Sequence, residues 1–387
     1  MKICLLTRSH QALGPRLHHR LAHSLVSAGH QITIVCRVPR DASRLTEELD
    51  GVRYVGVPRP GTPRRDLKGT FQLFCQAWRV KAEAYICFEM RTLVMGLVFK
   101  LFNGAKVLYD CHEYRPEMYN RIFPAPLRDL AKRAIRNLER LMAQRADVVW
   151  AVNEHLAARF RPHCEPVIVL PNYPLLETFE EIKSPPEELQ ARYAGKKVLL
   201  YVGGISQARG VTASLRVMAH LRHDLPQARM LFIGRLEGSY AQEVKSLVSE
   251  LELGGAVEFL GRVEYTEIPS YLRLGDLGIF LVQPVRERYN WGEPIKYFEY
   301  AAAGLPVVMS DLPAKRRLVE EVGNGIVVDP LNHAAAAEAI VELLGDKSRR
   351  QAMARRGREA FLSRLNWQAV APQMLDSLRL LEGKNAE

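Results

Sequence analysis

Residues 293–299 read Glu-Pro-Ile-Lys-Tyr-Phe-Glu, and their types and spacing could do chemistry. Lys296 and Glu299 are three apart, so a helix would place both on one face near its amino end. A lysine at that end suits an anion, because the free amides and the helix dipole add to its charge. A carboxylate beside it suits a polyol, whose hydroxyls need acceptors. A phosphorylated sugar would supply both. Pro294 reads as an early helical residue, with Ile295, Phe298 and the alanines after Tyr300 facing inward. Gly304 reads as the stop, and "LPVVM" as the buried strand that follows.

Four other stretches carry notable residues at predicted strand ends. "YVGGISQARG" runs from a strand into a glycine turn. Gly203 and Gly204 would let the backbone approach a ligand, the next amides could cradle phosphate, and Arg209 could clamp a diphosphate. A plain strand–helix turn would explain the same residues. The dinucleotide pattern G-x-G-x-x-G is absent, which argues against NAD. "LYDCHEYRPEMY" places Asp110, His112 and Glu113 at a strand's carboxyl end, where a base near an acceptor hydroxyl would belong, or where Asp110 or His112 would merely cap a helix. After the first strand, Gly14 reads as a tight loop with Arg8 and Arg16 nearby. His19 and His23 are four apart, but Arg16 and Arg20 flank them, so a solvated helix face is expected rather than zinc. Arg262 and Val263 close another strand, where a loop backbone could read a base edge.

These residues need a frame, and the hydrophobic rhythm supplies it. Short apolar runs such as "KICLLT", "QITIVCR", "AYICF" and "AKVLYD" alternate with helical patterns, and the second half repeats this from "KVLLYVGG" to "GIVVD". The expected fold is α/β, with two doubly wound Rossmann-like domains of parallel strands facing a cleft. At 387 residues two domains are the natural division. We expect residues 1–175 as the first domain, a proline- and acid-rich linker at 176–192, a second domain at 193–365, and a helix at 366–387 packing back on the first domain.

Charge is uneven. Residues 1–180 hold 27 Lys+Arg against 17 Asp+Glu, so they carry nearly all of the net charge of +11. An anionic partner is expected there: an acidic lipid surface, a phosphorylated acceptor or nucleic acid. No nucleic-acid motif appears and no aromatics interleave with the arginines of 127–145, so nucleic acid is set aside. In that stretch Leu127, Leu130, Leu138 and Leu141 recur at helical spacing among arginines. Either a helix lying on an anionic membrane or a core-packed helix with a solvated face fits. No signal peptide is read, and no stretch nears the roughly 20 apolar residues of a spanning helix. The six cysteines lack metal-type spacing and read as reduced thiols of a cytoplasmic protein.

Together the motifs resemble the family-four glycosyltransferases of the GT-B fold, bacterial surface-polysaccharide type, over nearly the whole chain. "PIKYFEYAAAGLPVVMSD" is similar to the family signature K-x-x-E-x-(M/A)-A-x-G-x-P-V-V, and "YVGGISQARG" to its glycine–basic donor loop. "GRVEYTEIPSYLRLGDLGI" is similar to a second-domain segment, and "LGPRLHHRLAHSLVSAGHQITIV" and "YDCHE" resemble first-domain segments. The resemblance implies a nucleotide-diphosphate sugar held mainly by the second domain. Glu299 would then meet the ribose, Lys296 and Arg209 the diphosphate, and anomeric configuration would be retained. The family often carries another glutamate eight residues before Glu299. Here that position is Trp291, and Glu293 is out of register. With no D-x-D tripeptide, the expected hexosyl transfer is metal-independent, with no cofactor beyond the nucleotide-sugar substrate. Asp110 or His112 would position a glycan or lipid-linked acceptor of the bacterial envelope, in the cytoplasm or on the inner face of the cell membrane. A nucleotide-sugar 2-epimerase or a non-catalytic nucleotide-sugar-binding subunit are the rival readings.

Overall fold

The computed structural model describes residues 1–9, 13–39, 46–59 and 66–383. It divides into two compact units, one formed by Met1–Asn172 with the chain from Val370 onward, the other by Tyr173–Ala369. Each is built on a sheet of mostly apolar strands. Strands buried on both faces must be apolar throughout, because helices cover both sides of a parallel sheet.

The first sheet has β1 (Lys2–Leu6), β2 (Gln31–Val38), β3 (Thr46–Leu49), β4 (Val52–Pro58), β5 (Ala84–Cys87), β6 (Lys106–Cys111), β7 (Val148–Ala151) and β8 (Val167–Val169). Their spatial order is β3-β4-β2-β1-β5-β6-β7-β8. All pairs are parallel except β3 with β4. The sequence reading missed β3, "TEEL", because all four residues are exposed and there is no apolar run to detect. The second sheet has β9 (Lys197–Val202), β10 (Ala228–Ile233), β11 (Val257–Gly261), β12 (Leu277–Phe280), β13 (Val307–Ser310) and β14 (Gly325–Val328), in the order β11-β10-β9-β12-β13-β14. In both sheets the order reverses beside the first strand, between β1 and β5 and between β9 and β12. Such reversals open a crevice at the carboxyl ends of the strands.

Several expectations change on the structure. Residues 176–192 are not a bare linker. They carry the helices Leu176–Glu180 and Glu187–Tyr193, whose Phe179, Leu189 and Tyr193 are buried in the second unit's core. The last helix, Trp367–Gly383, contains Pro372, and the chain rejoins the first unit within it. Ser377 there accepts a hydrogen bond from the buried Trp150 indole at 2.9 Å. Arg16 and Arg20 are buried in the π-wound segment Pro15–Ala22, so they do not form a solvated face. The helix Arg128–Ala143 turns Ala131, Glu139 and Ala143 inward and leaves its leucine row outside, with Leu130 66% and Leu138 52% exposed. The buried Glu139 is satisfied by Tyr109 Oη at 2.8 Å and Arg159 Nη2 at 2.6 Å. All six cysteines are free thiols, and burial pushes Cys36 up to about 11.

Candidate functional site

The second unit's strand reversal brings the donor-loop residues to Lys296. β9 ends at Val202, and Gly203 follows with φ +107°, a conformation side chains rarely adopt. A Cβ on Gly203 would lie 3.6 Å from Lys296 Nζ, so the loop passes directly over the ammonium. Lys296 rises from the first turn of the helix Ile295–Ala302. Its Nζ sits 3.7 Å from the Tyr201 ring centre on β9 and 4.1 Å from the Phe280 ring centre on β12. Lys296 is buried and its Nζ has no hydrogen-bond partner among the described residues. Burial, with the nearby Arg209 charge, holds its pKa well below the ordinary lysine range, against the pull of Glu299. Stacking on two aromatic faces is the compensation a bare cation has here.

Arg209 closes a single helical turn, Gln207–Arg209, and Nη1 leans 3.5 Å from the Gly204 carbonyl. The same carbonyl accepts from Tyr201 Oη at 2.8 Å, which fixes the loop. Glu299 is buried three residues after Lys296. The structure therefore gathers Gly203, Gly204, Arg209, Lys296 and Glu299 in one place.

Other expected residues lie apart from this group. Glu293 precedes the helix and forms an ion pair with Arg317. Burial raises its carboxyl to about 7 even with Arg317 beside it. Lys315, buried and lowered to about 7 by that burial, donates to the carbonyls of Tyr289 and, at 2.6 Å, Gly292. These bonds brace the end of the short helix Glu287–Trp291. Arg262 and Val263 follow the edge strand β11, two strands from β9. Arg262 is exposed and Val263 packs on the core.

In the first unit, Asp110 is fully buried on β6 and takes both Nε and Nη2 of Arg16, at 2.8 and 2.6 Å. Arg16 Nη1 also donates to Asn172 Oδ1 at 2.6 Å. Asp110 is thus committed to a buried ion pair and is not placed to touch an acceptor, which corrects the sequence expectation. His112 is half-buried, with Nδ1 3.3 Å from the Asp110 carbonyl and Nε2 3.2 Å from Arg115 Nη2. A guanidinium can only donate, so Nε2 is the acceptor and Nδ1 carries the proton. Its lone pair is engaged by Arg115, so it is not poised to take a proton. Gly14 has an ordinary extended backbone, φ −69°, before the helical segment, so nothing in its conformation demands glycine.

Sequence reasoning missed four contributors. Tyr201 and Phe280 form the walls around Lys296, yet in the sequence they are only strand aromatics. Gly210 has φ +83°, and a Cβ there would fall 1.7 Å from the Leu281 carbonyl. A Cβ on Gly234 would fall 2.1 Å from the Gly203 carbonyl. Glycines one residue beyond a predicted strand or turn were a usable signal for both.

A doubly wound unit with a glycine loop and a buried amine at its strand reversal is suited to an anionic ligand at the carboxyl ends of its strands, as nucleotide-binding folds of this kind are. Comparison with known proteins agrees. The family described as "Glycosyl transferases group 1" matches residues 187–360, and "Glycosyl transferase 4-like domain" matches residues 14–172. The sucrose-phosphate synthase structure from Thermosynechococcus elongatus superposes with a TM-score of 0.80 at 20% identity, covering 99% of each chain, which shows the fold. Spore coat protein SA of Bacillus subtilis is 29% identical over 47% of this chain and 48% of its own length. A GDP-mannose-dependent alpha-(1-6)-phosphatidylinositol monomannoside mannosyltransferase of Mycobacterium tuberculosis is 25% identical over 63% of this chain and 64% of its own. The chain thus spans about half to two-thirds of the length of these curated relatives. It belongs to the family-four type of GT-B glycosyltransferases.

Proposed function

We propose that this protein is a retaining glycosyltransferase that moves a hexosyl group from a nucleotide-diphosphate sugar to an acceptor hydroxyl. The observation that carries the reading is Lys296 Nζ, buried between two rings beneath Gly203, with no hydrogen-bond partner among the described residues. A buried cation with nothing to bind is costly unless an anion arrives to meet it. The diphosphate is that anion. Lys296, Arg209 and the amides after Gly203 hold it, Glu299 accepts from the ribose hydroxyls, and Arg262 with Val263 flanks the base.

In the chemical step the bond from the anomeric carbon to the phosphate oxygen breaks, and its electron pair leaves with the diphosphate. The acceptor oxygen bonds that carbon on the same face, and its proton passes to the departing phosphate oxygen. Configuration is retained. Fixed cationic and amide donors aimed at such a charge are each worth roughly 3–4 kcal/mol. The named specificity of the mycobacterial relative, together with the basic first half, favours a lipid-linked or polysaccharide acceptor.

Calorimetry with UDP and GDP tests the donor half. Glu299→Ala should weaken the nucleotide that binds the wild type by about tenfold, the worth of one or two hydrogen bonds, with unchanged circular dichroism. Unaltered affinity would remove Glu299 from the site.

The outer face of the helix Arg128–Ala143 supports a peripheral membrane position on the inner face of the cell membrane. No helix among the described residues is long and apolar enough to cross a bilayer. This one instead exposes Leu130, Leu138 and Leu141 alongside the exposed Arg133 and Arg136, the pattern of a helix lying in an anionic interface. We expect co-sedimentation with phosphatidylserine vesicles that weakens with salt and is lost in Leu130→Ser/Leu138→Ser. Equal binding to phosphatidylcholine vesicles would contradict the electrostatic part.

A further inference from the structure

The first unit has a strand reversal of its own, between β1 and β5, and its crevice holds a cluster of guanidiniums. Arg8 follows β1, Arg37 lies near the end of β2, and Arg91 stands in the first turn of the helix Met90–Asn103 that follows β5. All three converge on one carboxylate, Asp66, the first residue of the helix Asp66–Val80. Arg8 Nη2 lies 2.8 Å from it, Arg91 Nη1 2.8 Å and Arg37 Nη2 3.0 Å. Burial pushes the Asp66 carboxyl up, and Arg8 and Arg37 overcome it, so the group is held below its ordinary range.

Two features set this cluster apart from a surface ion-pair network. The Arg37 side chain is only 3% exposed, and its Nε has no hydrogen-bond partner among the described residues, nor has the buried Nε of Arg8. Gly69 makes room for Arg37, since a Cβ there would lie 3.0 Å from Nη1. The neighbouring carboxylate makes no ion pair with the three guanidiniums in the bonds described for it. Glu89 accepts from Thr7 Oγ1, from Ser9 and from the Arg8 amide, and faces the charge of Arg115. Three guanidiniums against Asp66 leave a surplus of two positive charges, half-open to solvent through Arg91, which is 46% exposed.

We propose that Arg8, Arg37 and Arg91 form a binding site for a dianionic phosphate monoester carried by the acceptor, with Asp66 as the internal anion that keeps the three guanidiniums gathered until the phosphate arrives. The guanidiniums outnumber the one carboxylate they share, and planar guanidiniums match phosphate oxygens in pairs. The proposal rests on the transferase reading for the word acceptor, but the site's binding chemistry stands apart from the donor loop. A free sugar phosphate and a phosphatidate headgroup present the same chemistry.

The test is titration calorimetry on the full chain with glucose 6-phosphate, with short-chain dihexanoyl phosphatidic acid, and with glucose as the neutral control. Binding of one phosphate probe and not the other identifies the source. Arg91→Gln, a half-exposed change that leaves the fold intact, should weaken the bound phosphate probe at least tenfold. Asp66→Asn removes the competing carboxylate and should strengthen it several-fold. UDP or GDP affinity should stay unchanged in both variants, so loss of nucleotide binding in the wild type would count against the donor reading alone. The proposal is overturned if neither phosphate probe binds the wild type, if glucose binds as well as its phosphate, or if both substitutions weaken binding alike, as a purely structural cluster would.

Discussion

The two strand reversals solve the same electrostatic problem in opposite ways. Between β1 and β5, Arg8, Arg37 and Arg91 are gathered on Asp66. Between β9 and β12, Lys296 has no hydrogen-bond partner among the described residues and is held by the faces of Tyr201 and Phe280. The first arrangement stores positive charge by sharing a carboxylate. The second leaves the amine desolvated, which lowers the lysine's pKa and makes an incoming anion the best available partner. The habit of the first unit extends to Arg16 with Asp110 and Arg159 with Glu139, both buried pairs with an acid at 0% exposure. A buried cation with an acid to itself contributes to the fold; one that shares its acid with others, or has none, is available for a ligand.

The largest effect that would sharpen this contrast lies at Asp110. Asp110→Ala leaves the Arg16 guanidinium buried without its two-oxygen partner, and breaking a buried pair from one side costs about 3–5 kcal/mol. Urea denaturation of the variant should show a loss of that size in the first unit's transition, while nucleotide affinity in the second unit stays as in the wild type. A variant as stable as the wild type but poor in transfer would return Asp110 to the reaction and break the contrast.

How much of this was legible in the sequence follows from the same physics. Every apolar strand was readable, because both faces of a parallel sheet are buried and the runs are continuous. β3 was not, because an exposed antiparallel edge strand of Thr-Glu-Glu-Leu carries no hydrophobic signal. Lys296, Glu299, Arg209, Gly203 and Gly204 were legible because their spacing is local to one helix and one loop. Tyr201 and Phe280 were not, since their role arises only when β9 and β12 pair. Asp110 was misjudged because its position at a strand's end is visible in the sequence, whereas its partner Arg16 is 94 residues away. The leucine row at 130–141 had the right period but left open which way it faces. Its orientation was decided by Glu139, which Tyr109 and Arg159 hold inside.

A smaller effect tests the other side of the comparison. If Lys296 is held by desolvation, removing the amine should relieve the fold rather than harm it. Lys296→Met keeps the length and the contact with both rings while discarding the charge. We expect the second unit to gain about 1 kcal/mol near neutral pH, a rise of roughly 2–4 °C in its melting temperature. The pH dependence has a definite sign. The unfolded lysine titrates near 10.4, and burial puts the folded value well below the ordinary one. Between the two the unfolded chain binds more protons, so this residue makes stability rise with pH across that window and fall as pH drops through the folded value. The variant should lack that slope. Adding UDP or GDP should raise the lysine's pKa, so the wild type takes up protons on binding wherever the amine was neutral. Calorimetry in buffers of different ionisation enthalpy reads that uptake directly, and the methionine variant should lose both it and most of the affinity. Parallel stability–pH curves for the two proteins, with equal proton uptake, would mean that the amine is already paired and that the two reversals do not differ.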